Sequence, residues 1–463
     1  MNFVYNKVNL LFTIYMKRNL FTVIALILLC CRAGAQDAPR QWTLDECIRY
    51  AIANNVNLKQ QEQDVESGKI DVDASRSSML PNLNASFGQN LDFGRTPSRD
   101  GVIVDMNSAN SSFGVNLNMP LFNGLKIPNN IAARKLNLMA ATESLNKAKE
   151  DLALYVTSYF LQALYNKEML TIAELQVRMT EDQVVRTEAL VDAGAVPASQ
   201  LYDIRAQLAR DEVVLTEAGN NVNLALLDLA QALELERLGA DFDVVHPDTQ
   251  DAIAEHMRSI LPPDNIYDHS VTFKPHIKEQ EYLLASRKKM LRVAQSDYYP
   301  RLNFFANYGN GYYRYFGSDG AESLPFGDQI KRNERKTIGV SVNIPLFNRF
   351  EIRNNVRQHR VAIVNRELSM ENSKKTLYKD IQQAYFMATG AQEKYMASEK
   401  SVAASREALT YAEERYAVGK SSVFEYNESK AKYAQSLSEQ AQAKYNFIFR
   451  TKILDFYNAS LNF

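Results

Sequence analysis

Glycine and proline are scarce in this chain, 18 and 13 among 463 residues, which argues against a loop-rich fold and for long uninterrupted elements. Cysteine is scarcer still, at three residues, so neither a disulfide scaffold nor a thiolate zinc site can be built. No sign of charge dominates: 53 Lys and Arg stand against 54 Asp and Glu, without the electrostatic footprint of a nucleic-acid binder. The five histidines (His246, His256, His269, His276, His359) have no metal-ligand spacing and no His-Glu-x-x-His motif. A phosphate loop and a Gly-x-Ser-x-Gly elbow are also missing, so no catalytic, metal or cofactor site is expected and the chain is not read as an enzyme. What is present is globular in composition, 46% apolar and 23% charged, and unusually rich in Asn that alternates with apolar residues.

The first 35 residues have the layout of a secretory signal peptide. Lys17 and Arg18 precede an apolar run from Leu20 to Leu29, followed by Ala33-Gly34-Ala35. Cleavage after Ala35 leaves Gln36 first, and translation from Met16 would supply everything the signal needs. The run is too short to span a bilayer comfortably, and Cys30 follows Leu29 rather than the small residue a lipoprotein signal requires. Without its signal the chain keeps one cysteine, Cys47, and no later stretch reaches 18 apolar residues. An exported chain of this kind is periplasmic, secreted, or held in an outer membrane by strands.

The remainder is a tandem repeat. Gly114-Val115-x-x-Asn118-x-Pro120-Leu121-Phe122-Asn123 recurs as Gly339-Val340-x-x-Asn343-x-Pro345-Leu346-Phe347-Asn348, and the same offset of 225 relates Gly194 to Gly419. Upstream, Pro81-x-Leu83-Asn84 recurs as Pro300-x-Leu302-Asn303 at an offset of 219. The repeats divide the mature chain into 36–250 and 251–463. Each carries two alternating segments, about 82–120 and about 301–346 with their loops at 94–110 and 314–335. Phe113, Val115 and Leu117 oppose Gly114, Asn116 and Asn118; Ile338, Val340 and Val342 oppose Gly339, Ser341 and Asn343. Such alternation gives strands with one apolar and one wet face, long enough to cross a bilayer at a tilt. The wet faces are Asn, Ser and Gly instead of the Lys and Glu that usually coat a solvent-facing sheet.

Between the strands lie very long helices. From Leu125 to Ala193 there is one proline, Pro128, and no glycine, while Leu138, Leu145, Leu152 and Tyr159 are seven apart. Their second-repeat counterparts are Ile363, Met370, Leu377 and Ala384. Such a rod would be roughly 100 Å long. Gly194 and Gly419 end the rods as left-handed caps, with return helices expected over 197–236 and 422–458. Helices at 43–80 and 275–299 lead into the strands, each return helix stacking with one of them, and 237–270 reads as an irregular connector. Four strands cannot close a membrane barrel, and an open edge in lipid leaves backbone groups unpaired. Twelve strands from three chains give an aqueous bore, whereas eight from two give a plugged one.

The order of signal, helix, Pro-led hairpin, Pro-Leu-Phe-Asn, long helix and Gly-turned tip, all repeated, resembles the TolC-like outer membrane efflux family over about 41–458. The resemblance implies a mainly α chain with membrane β: a homotrimeric 12-stranded barrel in outer membrane lipid, continuous with a periplasmic helical barrel. It also implies a passive exit duct for efflux or type I secretion, partnered by a periplasmic adaptor and an inner-membrane transporter. An acidic ring at the tip would fall on Glu425 and Glu428, with Gln200 and Asp203 as first-repeat equivalents. The acids equally complement the dipole of their helix. Tyr416 matches a latch position that holds the tip shut, or packs as a coiled-coil tyrosine; Ser421 stands where the family usually has Arg. The turns at Gly194 and Gly419 would meet the adaptor, and Phe463 resembles the C-terminal aromatic of outer-membrane proteins. The competing reading is a periplasmic coiled-coil structural or adaptor-like protein with a soluble sheet. Extraction only by detergent, as a heat-modifiable trimer on gels, is the expected outcome; release by osmotic shock alone would favour the competitor.

Overall fold

The computed structural model describes residues 41–97, 102–105, 107–235, 242–245, 260–316 and 324–458. The signal segment 1–35 and Phe463 lie outside these residues. The chain begins with β1 (Gln41–Trp42), α1 (Leu44–Asn54) and α2 (Val56–Ser77). Strands β2 (Asn82–Asp92), β3 (Arg95–Pro97), β4 (Ile103–Asp105) and β5 (Asn107–Asn123) follow, then α3 (Lys126–Asp192) and α4 (Ala198–Ala232). After β6 (Asp243–Val244), the second half runs through α5 (Pro263–Phe273), α6 (Pro275–Gln295) and β7 (Arg301–Phe316). It ends with α7 (Phe326–Arg332), β8 (Arg335–Asn343), α8 (Glu351–Ala417) and α9 (Val423–Asn458).

Both long helices have 67 residues, and the bounds 126 and 192 of α3 become 351 and 417 in α8, the sequence offset of 225. The turn that launches each is also the same. Gly124 and Leu125 have φ of 66° and 65°, and Arg349 and Phe350 have 51° and 61°. Two successive left-handed residues turn the strand sharply into the helix. Gly124 has a second constraint: a Cβ there would lie 2.5 Å from the Ser296 carbonyl oxygen. Pro128 sits in the first helical turn, where its missing N–H would have had no partner.

The four long strands form one antiparallel sheet in the order β2-β5-β7-β8. In register, Phe87 faces Phe113, Gly114 faces Gly309 and Phe304 faces Val340. The strands are unequal in length. The inner pair β5 and β7 reach 17 and 16 residues, because each has a ladder partner on both sides; the edges β2 and β8 have 11 and 9. The loops also carry structure that the sequence reading left as loop. The small ribbon β3–β4 lies within 94–110, and α7 lies within 314–335, anchored where the Gln329 amide donates to Tyr313 O at 2.8 Å.

Three helical expectations need correction. The helix expected over 43–80 is two helices, broken at Asn55, which leaves helical geometry at ψ 125° and caps α2 through its side chain. Lys274 repeats that geometry at ψ 129°, and Pro275 enforces the break there. The connector 237–270 was expected to be irregular, but α5 begins at Pro263 and β6 pairs in parallel with β1. A helix of 11 residues entered through Pro262-Pro263 was masked by the turn-forming composition around it. Finally, α2 packs along α3 rather than α8, while α6 packs between α3 and α8. One flank of α8 is therefore left without its expected within-chain neighbour.

The core sits halfway along the rods. Phe160, Leu164, Leu229, Leu233, Phe447 and Val244 pack together there with Trp42 and Cys47. A second cluster joins Ile266, Ile277, Leu377, Ile381 and Leu454. Of the seven-residue line, Leu145 is buried while Leu138, Leu152 and Tyr159 are half-buried; the deepest positions include Ala133, Ala140, Ala153 and Phe160, because alanine lets neighbouring helices approach closely.

Between these clusters lies a buried ion pair. The Lys274 ammonium donates to the Phe456 carbonyl at 2.5 Å and to Glu150 at 3.3 Å, and sits 3.7 Å from the centre of the Phe456 ring. Burial pushes the Lys274 pKa down and that of Glu150 up, while the pairing opposes both. Lys274→Met strands a buried carboxylate and is expected to destabilise the chain by about 3–5 kcal/mol. Lys274→Met with Glu150→Leu should recover much of that loss, as read by thermal unfolding.

Candidate channel gate and membrane sheet

The sheet has two unlike faces. On one, Leu83, Phe87 and Leu91 are 65%, 66% and 58% exposed, and Ile338, Val340 and Val342 are 76%, 55% and 60% exposed. Phe113, Val115 and the half-buried Leu117 continue this face. The other face carries Asn84, Ser86, Gly88, Asn116, Asn307 and Ser341. A contiguous apolar surface of this kind in water would mark an interaction site. Aromatic residues flank it at both ends of the strands: Tyr298, Tyr299, Phe347 and Phe350 at the helix junctions, Phe316 and Phe326 at the loop end, all exposed, whereas Tyr313 and Tyr315 fall on the opposite face by register. Aromatic girdles at two levels around an outward apolar band are the arrangement of strands in lipid.

The opposite end of the rods holds the two tips. Gly194 and Gly419 have φ of 66° and 73°, where glycine alone is unstrained, and each closes a helical hairpin. The Gly194 amide donates to Val191 O and the Gly419 amide to Tyr416 O. Ser422 caps α9, its hydroxyl accepting from the Glu425 amide at 3.2 Å, so Glu425 occupies the first turn. The Glu425 carboxylate accepts from the Ser421 hydroxyl at 2.7 Å and lies 3.8 Å from Arg415. Glu428 is one turn further along and pairs with Lys432 at 2.7 Å. Both acids are exposed on one helical face. Asp203 is exposed and Gln200 half-buried at the corresponding start of α4. Tyr416 stacks on the buried Tyr426 at 5.5 Å and approaches the Thr187 hydroxyl at 3.4 Å, which brings α8 against α3.

Sequence reasoning missed a polar stretch in the interior above the tips, set among the buried Leu201, Ile204, Leu409 and Tyr426. Thr180, Gln183 and Thr187 on α3 are buried, with Asp211 on α4 and Lys430 on α9. The Lys430 ammonium donates to Asp211 at 3.1 Å and also to the Thr180 hydroxyl. The Thr180 hydroxyl donates to Asp211 at 2.5 Å, and the amides of Gln176 and Gln207 donate to the other carboxylate oxygen at 3.0 and 2.8 Å. Burial pushes the Lys430 pKa down, and Asp211 opposes that shift. The Gln183 amide is buried with no hydrogen-bond partner on either end. Carrying the heptad pattern onward from Ala173 and Val177 to Thr180 and Thr187 would have exposed this polar stretch in the sequence.

No helix among the described residues is long and apolar enough to cross a membrane. A strand-borne membrane surface joined to long helical rods defines an outer membrane channel protein. The sequence pattern of the family described as "Outer membrane efflux protein" matches residues 47–234 and 271–448. The chain belongs to that family, and its location is the outer membrane. It is 21% identical over 399 residues to the outer membrane efflux protein BepC of Brucella suis, covering 86% of this chain and 81% of that one. It is 19% identical over 402 residues to the proteases secretion protein PrtF of Dickeya chrysanthemi, covering 86% and 84%. The fold matches the CmeC outer membrane channel of Campylobacter jejuni with a TM-score of 0.72 at 18% identity, over 90% of this chain and 85% of that one.

Asp211→Ala leaves the Lys430 ammonium buried without its carboxylate and is expected to cost about 3–5 kcal/mol in thermal unfolding. At the corresponding second-repeat position, Ser436→Ala should cost about 1 kcal/mol.

Proposed function

We propose that three copies of this chain form one passive exit duct across the outer membrane and periplasm, serving a tripartite efflux or type I secretion system. The single observation that carries this reading is the sheet: four strands with an exposed apolar face and two edge strands, β2 and β8, whose outer sides pair with no strand among the described residues. In hydrocarbon each unpaired edge group costs several kcal/mol, so the edges must meet those of other copies. Twelve strands then enclose a bore lined by the Asn, Ser and Gly face, with Phe113, Val115, Leu117, Ile338, Val340 and Val342 toward lipid. The two repeats, 36–250 and 251–463, each contribute one strand pair and one helical hairpin. The duct performs no chemistry; a periplasmic adaptor engages the turns at Gly194 and Gly419, and an inner-membrane transporter supplies the energy.

The gate in this reading is the ring of tip acids. Three Glu425 and three Glu428 surround the mouth, joined by Asp203 and flanked by Gln200, and Tyr416 latches α8 to α3. Rings of carboxylates attract and hold cations at close quarters. Each acid has a cation beside it, Lys432 at 2.7 Å from Glu428 and Arg415 at 3.8 Å from Glu425, and the looser pair leaves Glu425 the less neutralised of the two. Glu425→Ala with Glu428→Ala is expected to raise single-channel conductance in planar bilayers and to weaken block by hexamminecobalt. Glu425→Ala alone should give most of the change. Conductance and block both equal to the parent channel would remove the ring.

A further inference from the structure

The polar contact at Lys430 has a counterpart elsewhere in the chain. Helices α4 and α9 begin 225 residues apart, so Thr180, Asp211 and Lys430 correspond to Ser405, Ser436 and Arg205. In the first hairpin the Thr180 hydroxyl bonds the Asp211 carboxylate at 2.5 Å; in the second, the Ser405 and Ser436 hydroxyls are 2.6 Å apart. The same two positions are thus bridged across both hairpins. Within one chain, α9 lies against the first hairpin and inserts Lys430 into its bridge. The second hairpin has the same bridge, and Arg205 occupies the inserting position on α4. Arg205 is half exposed and holds Glu188 at 2.9 Å with one nitrogen, which leaves further guanidinium donors. Ser436 is only 4% exposed and Ser405 half-buried, so the bridge lies at the seam between α8 and α9.

We propose that Arg205 of a second copy seats against the Ser405–Ser436 bridge, making the copy-to-copy seam a quasi-equivalent repeat of the within-chain seam. The inference rests on the trimeric reading above. Both seams then have one geometry but unequal strength. The within-chain seam has a buried carboxylate at Asp211 and a second ion pair, Lys444 to Glu168 at 2.9 Å. The corresponding positions between copies are Ser436 for the carboxylate, and Gly219 facing Glu393 for the second pair. Arg205 there meets hydroxyls in place of a carboxylate, and Glu393 meets no side chain. The seam between copies is the weaker of the two by its chemistry, and it is where the tips part first.

The test installs the missing carboxylate in the full-length protein in detergent. Ser436→Asp is expected to shift the heat dissociation of the trimer upward by several degrees. Ser436→Asp with Arg205→Ala should shift it below the parent, because the new carboxylate is then buried unpaired. Independently, p-benzoylphenylalanine in place of Arg205 should photo-crosslink one copy to residues of α8 and α9 around Ser405 and Ser436 in another, as mapped by mass spectrometry. A stable trimer whose crosslinks fall elsewhere, or one destabilised by Ser436→Asp whether or not Arg205 is present, overturns the seam while leaving the trimer intact. A chain that runs as a monomer overturns both.

Discussion

Backbone groups in hydrocarbon must find partners within protein, and that constraint organises everything else in this molecule. The chain satisfies it along β5 and β7, which pair on both sides, and leaves it open along β2 and β8. The apolar face of the sheet makes water an unsuitable surrounding; the Asn- and Ser-rich face makes lipid unsuitable on the other side. A surface with those two demands separates lipid from water, and its two ends have to be supplied with neighbours. The rods continue the same plan into the periplasm, because each strand pair is bent into a 67-residue helix by two left-handed residues.

Along the rods the interior changes character. At mid-level, where β1, β6 and α1 pack on α3, α4 and α9, the side chains are Trp42, Phe160, Leu164, Leu229 and Phe447. Toward the tips Thr180, Gln183, Thr187, Asp211 and Lys430 are buried among Leu201, Ile204, Leu409 and Tyr426. Burial of large apolar groups resists separation of helices in proportion to area, whereas a polar interior depends on each group keeping its partner. The ion pair at Lys274 and Glu150 lies on the strand side of the mid-level core, tying α6 and the end of α9 to α3 beside the apolar clusters.

Much of this was legible in the linear sequence because repetition is a strong signal. The offset of 225 located both rods, and Gly194 and Gly419 marked their tips at positions where φ is positive. Alternation located all four strands, since Phe113, Val115 and Leu117 could share a face only in extended backbone. The misses have specific causes. Asn55 broke a helix that apolar periodicity read as continuous, because its side chain caps the second helix as well as ending the first. Pro262-Pro263 read as loop, although proline is well placed in a first helical turn. The acids at 425 and 428 were found through a resemblance, but their neighbours Ser421 and Lys432 are set by capping and helical spacing and came only with coordinates.

The sequence alone determined the long rods, the long strands and the duplication, because these follow from periodicity and composition. Tertiary structure decided which helices lie beside which. No spacing rule places Lys430 beside Thr180 and Asp211, separated from them by 250 and 219 residues, since that contact depends on how two rods are laid side by side. It also decided that α2 lies along α3 and α6 between α3 and α8. Local periodicity specifies that a helix has a buried face; only the packed whole specifies what covers it.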